Sequence, residues 1–189
     1  MRILMLGNSL TFTNDMPRVL ARLTGAEVVL HTRGGARLSE HLNPGTKLGA
    51  RTQAALRNGD WDYVVLQEMS HGPITSPASF FSSVERLSDQ ARESGAVPVL
   101  YATWAYRKGS SKLAAKGWDY DEMARGISEA YHRAAKKSRT LIADVGWRFY
   151  QLSNTQELYA SDGVHPNDQG SRIAAETIAA AIQTDKERQ

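Results

Sequence analysis

The apolar positions of this chain fall into two alternating patterns. Ile3-Leu4-Met5-Leu6, Glu27-Val28-Val29-Leu30, Tyr63-Val64-Val65-Leu66 and Val97-Pro98-Val99-Leu100-Tyr101 are short, nearly unbroken runs, the mark of strands buried on both faces. Thr140-Leu141-Ile142-Ala143-Asp144 reads as a fifth. Between the runs, apolar residues recur at helical spacing: Phe80, Val84, Leu87 and Ala91, then Met123, Ile127, Ala130 and Ala134, and finally Ala174, Ile178 and Ile182. Strand and helix alternate, which predicts a parallel sheet with right-handed helical crossovers covering both faces. Ligands of such sheets bind beyond the carboxyl ends of the strands.

The segments at those ends are rich in small polar residues and glycine. They are Gly7-Asn8-Ser9, Arg33-Gly34-Gly35, Gln67-Glu68-Met69-Ser70-His71 and Thr103-Trp104, together with Ser161-Asp162-Gly163-Val164-His165-Pro166 ahead of the last helix. Backbone N–H groups, a hydroxyl, an amide and an imidazole are thus predicted to share one rim. The stretch from Thr103 to Trp118 lacks helical spacing and hangs from the same rim, with Trp104, Tyr106, Trp118 and Tyr120 interleaved among Arg107, Lys108, Lys112 and Lys116. Two readings of it stand. Either its aromatics fold back onto the core, or Trp104 walls a substrate pocket and the rest forms a lid over it, and Trp104 is assigned to substrate binding.

Composition narrows the function classes. At about 150 residues per domain, the 189 residues make residues 1–189 one domain, with the polar stretch 184–189 expected to fray. Hydrophobic residues at 41% and charged residues at 23% are an ordinary globular mixture. With no cysteine, thiol catalysis, cysteine metal ligands and disulfides are excluded. The net charge of +3 is spread along the chain, which argues against a nucleic-acid partner. The apolar run at Met1 to Leu6 is too short for a signal peptide, and no stretch approaches the roughly 18 apolar residues of a membrane span, so a cytoplasmic protein without membrane contact is expected. His31, His41, His71, His132 and His165 form no His-Glu-x-x-His or i, i+4 pair, and no glycine-rich phosphate loop follows a strand. Neither a metal nor a cofactor is expected.

Two positions carry candidate chemistry. Ser9 follows a buried strand and a glycine and precedes a helix start, so its hydroxyl would lie at a helix N-terminus, either as a cap or as a nucleophile favoured by the helix dipole. Asp162 and His165 stand three apart on a turn forced by Gly163 and Pro166. A base of this kind needs one ring nitrogen held by a carboxylate and the other aimed at the nucleophile, and an Asp-x-x-His turn provides both.

The block Ile3-Leu4-Met5-Leu6-Gly7-Asn8-Ser9-Leu10-Thr11, the pair Gly34-Gly35 and the block Asp162-Gly163-Val164-His165-Pro166 resemble, in order and across essentially the whole chain, the signature blocks of the SGNH-hydrolase superfamily of GDSL-type esterases and lipases. The resemblance implies a flavodoxin-like three-layer α/β sandwich on a five-stranded parallel sheet. It implies Ser9 as nucleophile, His165 as general base and Asp162 as its orienting carboxylate. The oxyanion would be held by the N–H groups of Ser9 and Gly35, with Gly34 the neighbouring alternative. The sequence departs from the family pattern in its third block, where Gly-x-Asn-Asp is replaced by Gln67-Glu68 at the end of the third strand. Gln67 carries the same amide on a longer stem and is assigned the third arm. The first block likewise has Asn8 where the family has Asp. The expected activity is hydrolysis of small carboxylic esters, O-acetyl groups on carbohydrate among them, with a small-molecule ester as partner. A thioesterase or lysophospholipase, or a non-catalytic anion-binding module of the same fold, are the alternatives.

Overall fold

The computed structural model describes residues 1–188. Five parallel strands form one sheet: β1 (Arg2–Gly7), β2 (Glu27–Thr32), β3 (Tyr63–Leu66), β4 (Val97–Tyr101) and β5 (Leu141–Ala143), in the order β2-β1-β3-β4-β5. This is the doubly wound, flavodoxin-like order, and its winding direction reverses between β1 and β3. The register places Ile3 beside Val28 and Tyr63, and Leu6 beside His31 and Leu66, so β1 and β3 end level with one another at the reversal point.

Alternate residues of each strand feed opposite cores. Leu4, Leu6, Val64, Leu66 and Leu100 pack under the helices α3 (Leu38–His41), α4 (Lys47–Asn58), α6 (Pro77–Glu93) and α8 (Tyr120–Ser138). Ile3, Met5, Tyr63, Val65, Val99 and Tyr101 face α2 (Met16–Thr24), α9 (Val145–Leu152) and α10 (Asp168–Lys186). The helical spacings at 80–91, 123–134 and 174–182 coincide with the buried faces of α6, α8 and α10. Three short helices lie at the rim: α1 (Ser9–Phe12), α5 (Gly72–Thr75) and α7 (Ser111–Ala115).

Three expectations require correction. The helix after Ser9 is not continuous: α1 is a single turn, followed by a 3-10 turn at Thr13–Asp15 where Asn14 and Asp15 both take positive φ, and then by α2. Four residues carry little of a macrodipole, so what Ser9 gains there is the local N–H groups. The stretch at 103–118 is not helix-free, because Ser110 caps α7 by accepting from the Leu113 N–H at 3.2 Å. The polar tail does not fray at 184, because α10 runs on to Lys186; of the stretch 184–189, Gln189 lies outside the described residues. No described helix is long and apolar enough to cross a membrane.

Candidate active site

Ser9 stands immediately beyond β1, where the chain turns sharply into α1. Asn8 makes that turn. Its Oδ1 caps the helix by accepting from the Leu10 N–H at 3.0 Å, its own N–H donates to Gln67 Oε1 at 2.9 Å, and its Nδ2 donates to the Ala36 carbonyl at 2.9 Å. The last bond ties the loop carrying Gly34 and Gly35 to the turn carrying Ser9. An aspartate could not make it, which is a physical reason for Asn8 where the family pattern has Asp. Gly35 adopts φ of +68°, and nothing lies within 4 Å of where a Cβ would stand, so backbone conformation rather than crowding selects glycine there.

The second half of the site arrives 156 residues later. In the turn before α10, Asp162 Oδ1 accepts from the N–H groups of Val164 at 2.9 Å and His165 at 3.0 Å, while Asp162 Oδ2 takes His165 Nδ1 at 2.5 Å. The carboxylate holds the Nδ1 proton, so Nε2 is left to accept from the Ser9 hydroxyl, 2.8 Å away. Partial burial raises the Asp162 pKa, but the hydrogen bonds from the His165 ring and the two N–H groups outweigh it, and the carboxyl ends below the usual aspartate range. Gly163 sits at φ +70°, and a Cβ there would lie 2.7 Å from Ser110 Cβ, so only glycine closes this turn. Asn14 joins the two halves: its Nδ2 donates to the Pro166 carbonyl and to Ser171 Oγ, both at 2.9 Å. Nothing in the local sequence pattern singles out Asn14, because its importance lies entirely in a contact across 152 residues.

The structure brings Ser9, His165 and Asp162 together and places Gly35 on the adjoining loop. It does not place Gln67 and Trp104 as expected. Gln67 is buried beneath the turn; its Oε1 accepts from the Asn8 N–H and from Thr11 Oγ1 at 2.9 Å each, and its Nε2 donates to the Glu68 carbonyl. The amide is committed to holding the turn rather than turned toward an oxyanion. Trp104 is 1% exposed and stacked on Phe149, with ring centroids 4.2 Å apart, and its Nε1 donates to the Val164 carbonyl at 2.9 Å. It supports the Asp162–His165 turn from inside the core and walls no pocket. Tyr106 is also buried, so this part of the 103–118 stretch packs inward.

Glu68 was placed at the rim by the sequence, but without the part it plays there. Its buried carboxylate accepts from the Met69 N–H at 2.7 Å and the Leu38 N–H at 3.2 Å, linking the β2–α3 and β3–α5 loops. Burial pushes its pKa up, against the lowering effect of those two bonds and of the Arg37 charge. Among the described residues no three His, Asp or Glu side chains gather as a metal-ligand set.

A flavodoxin-like sheet with a Ser–His–Asp hydrogen-bonded chain at the point where its winding reverses has the architecture of a hydrolase. A protein of solved structure from Slackia heliotrinireducens, assigned to the SGNH hydrolases, is 54% identical, superposes with a TM-score of 0.92, and is matched over 96% of this chain and 98% of its own. The chain belongs to the SGNH hydrolases. More distant structures share the fold: a DUF4886 family protein from Bacteroides uniformis at 19% identity and TM-score 0.73, over 97% and 83% of the two chains, and an acetylxylan esterase from Geobacillus stearothermophilus at 14% and 0.67, over 96% and 93%. No protein-family profile and no curated protein matches the sequence.

Proposed function

We propose that the protein is a serine esterase that hydrolyses small carboxylic esters through an acyl-enzyme. The observation that carries this reading is the unbroken chain of hydrogen bonds from Asp162 through His165 to Ser9, at 2.5 and 2.8 Å. Ser9 Oγ attacks the ester carbonyl while His165 Nε2 accepts its proton, and Asp162 holds the ring in the required tautomer and stabilises its positive charge. The tetrahedral oxyanion is held by the N–H groups of Ser9, free because it opens α1, and of Gly35. Gln67 steadies the Ser9 turn from below, so the hole rests on two backbone arms. His165 then protonates the departing alcohol, and a water deprotonated by the same nitrogen hydrolyses the acyl-enzyme. No metal takes part in these steps. Short acyl groups are favoured, acetyl groups on carbohydrate among them, a substrate class for which the acetylxylan esterase of the same fold is a precedent.

A fluorophosphonate probe with a panel of 4-nitrophenyl esters of increasing chain length tests the reading. The protein should be labelled at one site and turn over the acetate fastest, with EDTA without effect. Ser9→Ala should abolish both labelling and turnover while the melting curve stays in place. Turnover that survives Ser9→Ala would overturn the proposal, as would a chelator-sensitive activity restored by zinc.

A further inference from the structure

Arg37, Arg107 and Lys116 lie on the connections that follow β2 and β4, at the same carboxyl edge of the sheet as Ser9. Arg37 succeeds Ala36, whose carbonyl is held by Asn8, and precedes Leu38, whose N–H is held by Glu68. Glu68 packs against Gly72, beside His71: a Cβ on that glycine would lie 2.7 Å from Glu68 Cγ. Arg37 therefore lies between the Ser9 turn and His71. His71 is half-buried, with Nδ1 3.0 Å from Tyr106 Oη and its ring centroid 5.8 Å from that of Trp118; Lys116 Nζ stands 5.7 Å over the same indole. Burial and then the charges of Lys116 and Arg37 push the His71 ring below the usual histidine range. On the opposite side, the Arg107 N–H donates to the Gly163 carbonyl at 2.7 Å, inside the Asp162–His165 turn.

Arg37, Lys116 and Arg107 form no ion pair among the described residues, whereas Arg2, Arg33 and Arg92 each face a carboxylate. Asp162 holds His165, Asp119 caps α8 by accepting from the Asp121 and Glu122 N–H groups, and Glu68 is buried, accepting from the Leu38 and Met69 N–H groups. Cations that face no carboxylate add a positive field at that edge of the sheet.

We infer that this rim is a subsite for an anionic group, so that the ester cleaved at Ser9 carries a carboxylate or phosphate close to its scissile bond. The inference rests on the esterase reading above and specifies its substrate class. Arg37 and Lys116 would hold the anion, and His71 and Trp118 would pack against the carbon frame that bears it.

The test compares kcat/KM for 4-acetoxybenzoate, 4-acetoxyphenyl phosphate and the neutral methyl 4-acetoxybenzoate, each normalised to its own hydroxide-catalysed rate. One or both anionic esters should be preferred by about fivefold or more, with the preference falling in 0.5 M NaCl, as expected of a field screened within a few ångströms. The better of the two identifies the anion. Arg37→Gln should raise KM for that ester by about five- to tenfold more than for the neutral one, removing the salt-sensitive preference; Lys116→Gln should act in the same direction more weakly. Equal or reversed preference in the wild type, or an Arg37→Gln loss common to all three esters, would overturn the inference while leaving the esterase standing. Absence of all turnover together with absence of fluorophosphonate labelling would overturn the esterase reading and this inference with it.

Discussion

Asn8 spends each of its polar atoms on a different neighbour: a helix N–H, a loop carbonyl and, through its own backbone, a buried amide. Asn8→Asp would keep the cap but set an anionic oxygen against the Ala36 carbonyl in a buried position. We expect it to cost about 1 to 3 kcal/mol in a denaturant melt, the usual penalty for an unsatisfied buried polar group, and to lower kcat as the Gly35 loop loosens. Gln67→Met would strand the Asn8 N–H and the Thr11 hydroxyl, so its effect should appear first in stability. A large loss of kcat at unchanged stability would instead restore Gln67 as an oxyanion donor. Trp104→Ala should cost about 3 to 5 kcal/mol, as for other buried tryptophans, with no change in acyl-chain preference beyond that loss. Gln67 and Trp104 were misplaced for the same reason: a residue at a strand end is located by the sequence, but the direction of its side chain is set by what packs there. For Gln67 that was two donors from the neighbouring turn, and for Trp104 it was the Phe149 ring.

Among the elements, the strands were the most legible, because a run buried on both faces leaves little alternative to a parallel sheet. Their lengths were less so: β2 extends two residues past Leu30 to Thr32, since at a sheet edge the apolar pattern stops before the pairing does. The glycine turns were legible as turns but not as joints. Gly163 shows the difference, since it needs both its left-handed φ and the absence of a Cβ against Ser110. Gly163→Ala should shift the Asp162–His165 pair relative to Ser9, lowering kcat by about 10- to 100-fold, the scale of a displacement near 1 Å in a catalytic group, with KM little changed. Steady-state kinetics on a short acyl ester would show it. Asn14, by contrast, was not visible in the sequence, and neither was the linking part that Glu68 plays. Both are polar residues in loops with no periodicity of their own, and only the closure of the fold gives them partners.

For the whole molecule, the buried imidazoles set an acid limit. His41 is fully buried on α3 and shares Thr52 Oγ1 with His31. Burial is the main cause that brings its pKa down to about 4, and His31 falls to about 4 for the same first reason. Because the folded ring stays neutral where the unfolded ring, near 6.5, would bind a proton, its contribution to stability is complete above about pH 6.5 and is lost as the pH falls toward 4. For His41 the loss amounts to about 3 kcal/mol. Urea melts at pH 7 and pH 4.5 should show the decline, and His41→Leu should flatten part of it.

The separation between Ser9 and His165 also has a consequence in time. The base is added 156 residues after the nucleophile, a delay of about 8 to 30 s at common translation rates of 5 to 20 residues per second. Throughout that interval the nascent chain carries a serine with no partner to deprotonate it. Hydrolytic competence is therefore acquired in one step, once His165 has joined Ser9, and any chain abandoned before Asp162 is released inert.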